Sequence, residues 1–364
     1  MGKPQNRGCL LGLAVGDAMG YTVDSHTWQE IREDYGPGGL RGYDSVGGFV
    51  EVTSYTQLAA FTVNGLLLGL TRGQIRGKMA PFIQYVGYAC REWATTQRRG
   101  QKLPENHCWL TIQPEICKHF CMDTRMLDTL SRQRLGTPEE PGNNCAGPQA
   151  LTTAIGVGLF FHPDRTDQRE IDRLGAEAVA LIHGSPEAFL SGAVLSHLIS
   201  RLVNDPRQDF KALIEEAMEA LKDQFGHQYS STYEICNLLK LAVSLSEGLY
   251  HDHVEIMEKL RCETAAQCLA GAVYSCLVGG SDLDASMIIS VNHSGRSAAV
   301  GAVTGAIQGI RLGSEALPEF YLEDIEPAEL LKELASDLYQ GCPMVKGNRL
   351  YDGDWDRKYL HGGR

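Results

Sequence analysis

Residues 300–312 read VGAVTGAIQGIRL, and almost every face of the helix that they predict is apolar or small. Gly301, Gly305 and Gly309 lie four residues apart, which places them on one face. Because a glycine inside a helix costs about 1 kcal/mol relative to alanine, three in register predict that another backbone packs closely there. Residues 263–278, ETAAQCLAGAVYSCLV, have the same character. We expect both helices to be buried neighbours at the centre of the protein.

Helical periodicity in the rest of the chain predicts an all-α fold. Apolar residues recur at helical spacing in three further segments, 74–93, 166–183 and 211–225. A late helix starts at Pro327, and only residues 49–52 alternate as a strand would. No linker or internal repeat is evident. We therefore predict one compact, orthogonal multi-helix domain over residues 1–364, in which residues 343–364 form a C-terminal tail. Trp355 in that tail either covers a ligand or pins the tail to the body.

Composition excludes several classes of protein. The 364 residues include 33 basic and 45 acidic side chains, and a net charge of −12 argues against a general nucleic-acid binder. Eleven cysteines, spread through apolar segments without a secretory leader, predict reduced thiols in a cytoplasmic protein. No apolar run reaches the ~18 residues that a membrane span needs. Cys117, His119 and Cys121 lack the second pair of ligands that a zinc site usually has, so we expect ordinary packing there.

Four segments rich in glycine and hydroxyl groups are expected to precede apolar helices. Free N–H groups at helix starts suit phosphate or carboxylate ligands. Taken alone, each segment is weak evidence, and Ser54 with Gln57 also fits a simple capping box. The segments are 8–20 (GCLLGLAVGDAMG), 53–57 (TSYTQ), 143–153 (NNCAGPQALTT) and 292–301 (NHSGRSAAVG).

In this order, the segments resemble the motifs of the ADP-ribosylglycohydrolase family. Asp24 stands where the family has a carboxylate after its first motif, and His183 in ALIHGSP resembles its Thr-His element. The resemblance spans roughly residues 8–312. It implies the all-α fold of that family and, as the ancestral reaction, hydrolysis of the glycosidic bond between ADP-ribose and an acceptor.

The magnesium ligands that the resemblance implies are missing. The family holds two magnesium ions with a T-D-D-T segment and a late G-D-x-D segment, whereas this chain reads TSYT at 53–56 and GRSA at 295–298. Ser54, Tyr55, Arg296 and Ala298 replace the four aspartates. Magnesium requires oxygen ligands, usually carboxylates, and a fixed guanidinium repels it. We therefore predict no metal and no other cofactor.

The resemblance also implies which residues contact a ligand. They are Thr53, Ser54, Tyr55, Asn144, Gly147, His183, Ser294, Gly295, Arg296 and Ser297, with Asp24 as the candidate catalytic residue.

Three interpretations stay open. The chain is a pseudoenzyme that recognises an ADP-ribose-like small molecule or an ADP-ribosylated protein. Alternatively, it is a metal-independent hydrolase in which Asp24, with or without Asp17, does acid–base work and Arg296 stabilises the leaving group. In the third interpretation, Asp17 or Asp24 merely neutralises Arg296 in a silent scaffold.

Overall fold

The fold is all-α, as predicted. The computed structural model describes residues 3–43, 50–98, 106–120, 123–248, 252–345 and 350–364. Within these ranges there is no strand, only a single bridge between Val50 and Ile325; Phe49 of the predicted strand lies outside them. Three short 3₁₀ helices (Trp109–Ile112, Gln149–Thr152 and Ser314–Ala316) accompany the α-helices. The α-helices are α1 (Lys3–Val23), α2 (Trp28–Tyr35), α3 (Ser54–Arg76), α4 (Phe82–Thr96), α5 (Thr124–Leu130), α6 (Thr153–Phe160), α7 (Gln168–Ala180), α8 (Pro186–Asn204), α9 (Phe210–Phe225), α10 (Ser231–Ser246), α11 (His253–Leu260), α12 (Ala265–Gly279), α13 (Leu283–Val291), α14 (Ser297–Leu312), α15 (Glu319–Leu322), α16 (Ala328–Gln340) and α17 (Gly353–His361).

Helices α1 and α14 lie antiparallel in direct backbone contact. A Cβ atom on any of the glycines at this contact would overlap a carbonyl oxygen of the opposite helix. The close approach predicted for α14 is confirmed, and its partner is a matching row of glycines in α1. The facing pairs are Gly8 with Gly309, Gly12 with Gly305, Gly16 with Gly301, and Gly20 with Ser297.

The first glycine-rich segment has a different place from the one expected. Residues 8–20 do not precede a helix; they form the middle of α1, and most of them are buried. Their glycines therefore serve helix packing and do not form a loop that binds a ligand. The four-residue spacing, which the late segment shares, was the signal for this arrangement.

Helices α12 and α14 are buried neighbours, as the sequence predicts. Val300 packs against the Gly271 position of α12, where a Cβ would lie 3.4 Å from its Cγ1 atom. Apolar side chains from α1 to α17 form one continuous core around this pair. The centre of the protein is thus built from small residues that let helices approach closely.

The predicted helix over 74–93 is wrong, because two helices share that stretch. Helix α3 ends at Arg76, followed by Gly77 in the left-handed conformation with φ of 67°. Helix α4 begins only after Pro81. Met79, which the periodicity placed on a buried face, is 48% exposed in the turn. Glycine and proline override the apolar spacing, since they end and start helices respectively.

The C-terminal residues pack on the body of the protein. The Trp355 indole N–H donates to Thr71 Oγ1 at 2.9 Å, and the Tyr359 hydroxyl donates to Asp337 at 2.7 Å. Both aromatic side chains are buried. Of the two roles considered for Trp355, the structure has the anchoring one.

The cysteines of the described ranges are all free thiols, and most of them are buried. Cys121 of the cluster with Cys117 and His119 lies outside those ranges. None of the helices that the structure describes combines the length and the apolar character needed to cross a membrane.

Gly305→Ala tests the contact between α1 and α14. We expect the free energy of unfolding to fall by about 2 kcal/mol or more, because the added methyl group meets backbone that cannot move aside. Gly353→Ala, in the first turn of α17, is the control, since a Cβ there has only ordinary contacts. Urea unfolding of both variants measures the difference. Equal stability of the two variants would contradict the packing described here.

Candidate functional site

Asp17 of α1 organises the start of α3. It is fully buried and accepts hydrogen bonds from the Thr53 amide at 2.9 Å and hydroxyl at 2.6 Å, and from the Thr56 amide at 3.1 Å and hydroxyl at 2.6 Å. Burial raises the pKa of Asp17 to about 6, while the hydrogen bonds from the two threonines act to lower it. Both carboxylate oxygens are engaged, so Asp17 serves as a buried cap for α3.

The N-cap residue of α3 within the chain is Thr53 and not Ser54, so the capping box that Ser54 and Gln57 suggested is wrong. The Thr53 hydroxyl accepts from the Tyr55 amide at 3.4 Å. Gln57 turns inward instead: its amide oxygen accepts from the Trp93 indole at 2.8 Å, and its amide nitrogen donates to Lys118 O at 3.0 Å.

Asp24, just after α1, caps α14 in the same way. Its Oδ1 atom accepts from the Ala298 amide at 3.1 Å, in the first turn of α14. Burial raises the pKa of Asp24, and the Ala298 amide and the Arg296 charge oppose that shift. Helix α1 therefore supplies one carboxylate to the start of α3 and another to the start of α14, which brings these two helix starts together.

Tyr55 lies between these two helix starts. Its side chain is 5% exposed, and Asp24, Cys268 and Arg296 all lie near enough to act on its ionisation. Burial raises the pKa of the Tyr55 phenol well above its usual value, so the side chain is neutral. The structure thus brings Tyr55, Asp24 and Arg296 to one place.

Arg296 forms an ion pair with Glu263, a residue that the sequence analysis did not select. The Arg296 Nε and Glu263 Oε2 atoms are 3.5 Å apart, and the two side chains are 42% and 50% exposed. The Arg296 amide also donates to Cys262 O at 2.8 Å. The expectation that Asp17 neutralises Arg296 is wrong, because the oxygens of Asp17 are taken by threonines. Asp24 does lie near the guanidinium but accepts its hydrogen bond from backbone.

A second missed residue is Tyr21, near the end of α1. It is 48% exposed, and its ring contacts Phe120 edge-on at 5.3 Å between centroids. Burial, then Glu51 and the nearby Asp24, raise the pKa of its phenol. Its position four residues after Asp17, and so on the same face of α1, was the available signal. Tyr21 provides an exposed aromatic surface beside Asp24.

The loop at 143–147 lies beside His183 and the start of α12. The Asn143 amide nitrogen donates to Ile182 O at 2.7 Å, and its oxygen accepts from the Gly184 amide at 3.0 Å. The Ala265 amide donates to Ala146 O at 2.9 Å. Asn144 is exposed and Gly147 is partly exposed. These bonds hold the loop between α12 and the segment that follows α7.

His183 is a buried, neutral imidazole with one unused nitrogen. Burial lowers its pKa to about 4, and Nδ1 donates to Gly147 O at 2.8 Å. Among the described residues, the buried Nε2 atom has no hydrogen-bond partner. Because Nδ1 carries the proton in this arrangement, Nε2 is an acceptor available to a hydroxyl or N–H donor.

Ser294, Gly295 and Ser297, three of the residues predicted to contact a ligand, form hydrogen bonds within the protein at the start of α14. The Ser294 hydroxyl accepts from the Trp28 amide at 2.9 Å, and the Gly295 amide donates to His293 Nδ1 at 2.9 Å. Ser297 is fully buried, and its hydroxyl donates to His293 O at 3.3 Å. These groups hold the backbone that carries Arg296.

The residues at the four implied ligand positions do not fit a magnesium pair. Tyr55 is a buried neutral phenol, Arg296 is a cation, and Ser54 and Ala298 offer no carboxylate. Across the part of the chain that the structure describes, no three His, Cys, Asp or Glu side chains come close enough together to hold a metal ion.

Comparison with known proteins gives one family. The model of the family described as ADP-ribosylglycohydrolase matches residues 5–348. An uncharacterized protein from Archaeoglobus fulgidus is 22% identical over 335 residues, which cover 92% of this chain and 95% of that protein. A solved structure described as an ADP-ribosylglycohydrolase-related protein complex has a TM-score of 0.61 at 22% identity, and the match covers 93% of this chain and 98% of the other. That structure agrees with the fold described above.

The buried imidazole of His183 makes stability depend on pH. Its pKa falls from 6.5 to about 4 on folding, so its contribution is complete above pH 6.5 and is lost as the pH falls toward 4. Between pH 6.5 and pH 4, we expect protonation of His183 to lower the free energy of unfolding by up to about 3 kcal/mol. NMR titration of the imidazole and urea unfolding at pH 7 and 5 check this.

His183→Gln should reduce the pH dependence, whereas His227→Gln, at an exposed position, is the matched control. A titration midpoint of His183 near 6.5 would show that the imidazole is not buried as described.

Proposed function

Since the chain belongs to the ADP-ribosylglycohydrolase family, we propose that it is a metal-free, cytoplasmic member that binds ADP-ribose or a related nucleotide sugar without hydrolysing it. The observation that carries the proposal is the grouping of Arg296, Tyr55 and Asp24 at one place. Two of these residues stand at positions where the resemblance implies magnesium ligands.

Arg296 supplies a cation that a phosphate or a ribose hydroxyl can use. A guanidinium donates several hydrogen bonds in a fixed geometry that matches phosphate oxygens. Its present partner, Glu263, is half-exposed, and pairs of this kind contribute only about 0–1 kcal/mol. Exchange of Glu263 for a phosphate group therefore costs little.

One neighbouring side chain supports a nucleotide sugar as the ligand. It is Tyr21, which lies beside Asp24. The exposed ring of Tyr21 offers a surface on which an adenine base stacks.

Loss of hydrolysis follows from the chemistry of the same residues. A guanidinium binds anions and hydroxyl groups, but it does not activate a water molecule as a Lewis-acid metal does. One oxygen of Asp24 accepts a hydrogen bond from the Ala298 amide, and both oxygens of Asp17 accept hydrogen bonds from Thr53 and Thr56. The proposal is therefore recognition, either of the free nucleotide sugar or of an ADP-ribosylated protein.

Calorimetry with ADP-ribose, with an ADP-ribosylated peptide and with AMP, each with magnesium and with EDTA, tests this proposal. We expect ADP-ribose to bind equally well in both conditions. Arg296→Gln should weaken binding by roughly ten- to a hundredfold, the equivalent of a charge-assisted hydrogen bond of ~1.5–3 kcal/mol. Its melting temperature should change little, because Glu263 is left exposed to water and Asp24 keeps its hydrogen bond from the Ala298 amide.

Arg207→Gln, at an exposed position on another part of the surface, is the matched control. Binding that requires magnesium, or an Arg296→Gln variant that binds as tightly as the parent, would overturn the proposal.

The second candidate is a metal-independent hydrolase that uses Asp24 and Arg296. One observation favours it: burial raises the pKa of Asp24, as a general acid requires, and Glu263 is a second carboxylate close enough to add to that shift. Asp17 does not serve as the second group, since its oxygens are occupied. Release of ADP-ribose from an ADP-ribosylated peptide in EDTA, abolished by Asp24→Asn, would establish this candidate and exclude the first.

A further inference from the structure

A large cavity lies between α4 and α7, away from Asp24 and Arg296. Its volume is about 1010 Å³, at the upper limit of the range for sites that hold drug-sized ligands. Residues 133–137 and 139 close one side of it. Its apolar lining comes from Phe82, Ile83, Leu135, Phe161, Leu174 and Leu181.

The apolar lining is held in place by its own packing. Phe82 and Phe161 meet edge-on with 5.2 Å between ring centroids. Leu135 packs directly over Gly87, where a Cβ would lie 2.8 Å from its Cδ1 atom. Phe82, Ile83 and Leu135 remain partly exposed, and Tyr88 at the rim is 48% exposed. The cavity therefore presents ordered apolar surface to solvent.

One end of the cavity carries more negative than positive charge. The Arg173 Nε atom donates to Glu170 at 2.8 Å, and its NH1 group pairs with Glu177. Glu139 is a third carboxylate that acts on Glu177. Burial raises the pKa of Glu177; Arg173 opposes that shift, and Glu170 and Glu139 add to it. Two carboxylates thus share one guanidinium, and a third lies near enough to act on one of them.

The other basic side chains of the lining are already engaged. The guanidinium of Arg91 donates to the carbonyl oxygens of Leu130, Arg132 and Gln133, at 3.3, 2.7 and 2.9 Å. Arg134 pairs with Glu140 at 2.8 Å. Arg91 keeps its charge but is held against residues 130–133, and in the described part of the chain neither Arg91 nor Arg134 forms an ion pair with Glu170 or Glu177.

We propose that this cavity binds an amphipathic organic cation, with its apolar body on Phe82, Leu135 and Leu174 and its ammonium group beside Glu177, Glu170 and Glu139. Apolar burial supplies the affinity, and charge complementarity selects a cation over an anion of the same shape. This is a second ligand site, and it does not depend on the function proposed above.

Calorimetry with decyltrimethylammonium and decyl sulfate, both below their micelle concentrations, tests the proposal. The two probes share an alkyl chain and differ in the sign of their charge. We expect one molecule of the cation to bind per chain, and the sulfate to bind at least tenfold more weakly.

Variants separate the contribution of the charged end of the cavity from that of its apolar lining. Glu177→Gln should weaken the cation about tenfold and leave the sulfate unchanged or improved, while Tyr88→Ala should weaken both. Glu219→Gln, on α9 outside the cavity, is the matched control. Phe82→Ala is a second test of the apolar lining. Melting temperatures confirm that each variant is folded. Equal affinity for the two probes, no binding of the cation, or binding that none of the three cavity variants changes would each overturn the proposal.

Discussion

The backbone contact between α1 and α14 is the constraint on which the rest of the structure depends. Rows of glycine on both helices let the chains meet without intervening side chains. Because the two helices lie this close together, Asp24, the residue after α1, accepts a hydrogen bond from the Ala298 amide in the first turn of α14. Asp17, which follows one of these glycines, faces α3 at the same level. The contact between α1 and α14 therefore sets the geometry of the candidate site.

The two acidic residues of this region that are most buried are used to start helices. Free N–H groups at a helix start attract negative charge, and each carboxylate satisfies some of them. Burial disfavours the charged form of both carboxylates: it raises the pKa of Asp17 to about 6 and also raises that of Asp24. A carboxylate already committed to backbone amides is a poor metal ligand, so α1 does not replace the aspartates missing elsewhere.

Features carried by local spacing were predictable from the sequence, whereas contacts between distant segments were not. The glycines of α14, the burial of α12 and the all-α fold follow from periodicity. The end of α3 at Gly77 was missed because apolar spacing continued through it to Met79, although glycine and proline stood in the sequence. The neighbouring of α12 and α14 was predicted, but the pairing of Glu263 with Arg296 has no local signal, because these residues lie in the segments that precede the two helices. That the predicted site residues bind a ligand stays a prediction.

Replacing carboxylates with Arg296 and Tyr55 changes what the region attracts. Four aspartates would make a strongly negative site that only bound cations could neutralise. Here Arg296 balances one of the two nearby carboxylates, Asp24 or Glu263, and the neutral Tyr55 adds no charge. Of these two carboxylates, Glu263 is half-exposed and held through a single weak pair, so under the proposed function it is the one that an incoming group would displace. Without Glu263, the partly exposed Arg296 has Asp24 as its remaining carboxylate neighbour, and Asp24 is turned toward the α14 backbone. That arrangement favours an anion or a hydroxyl over a metal.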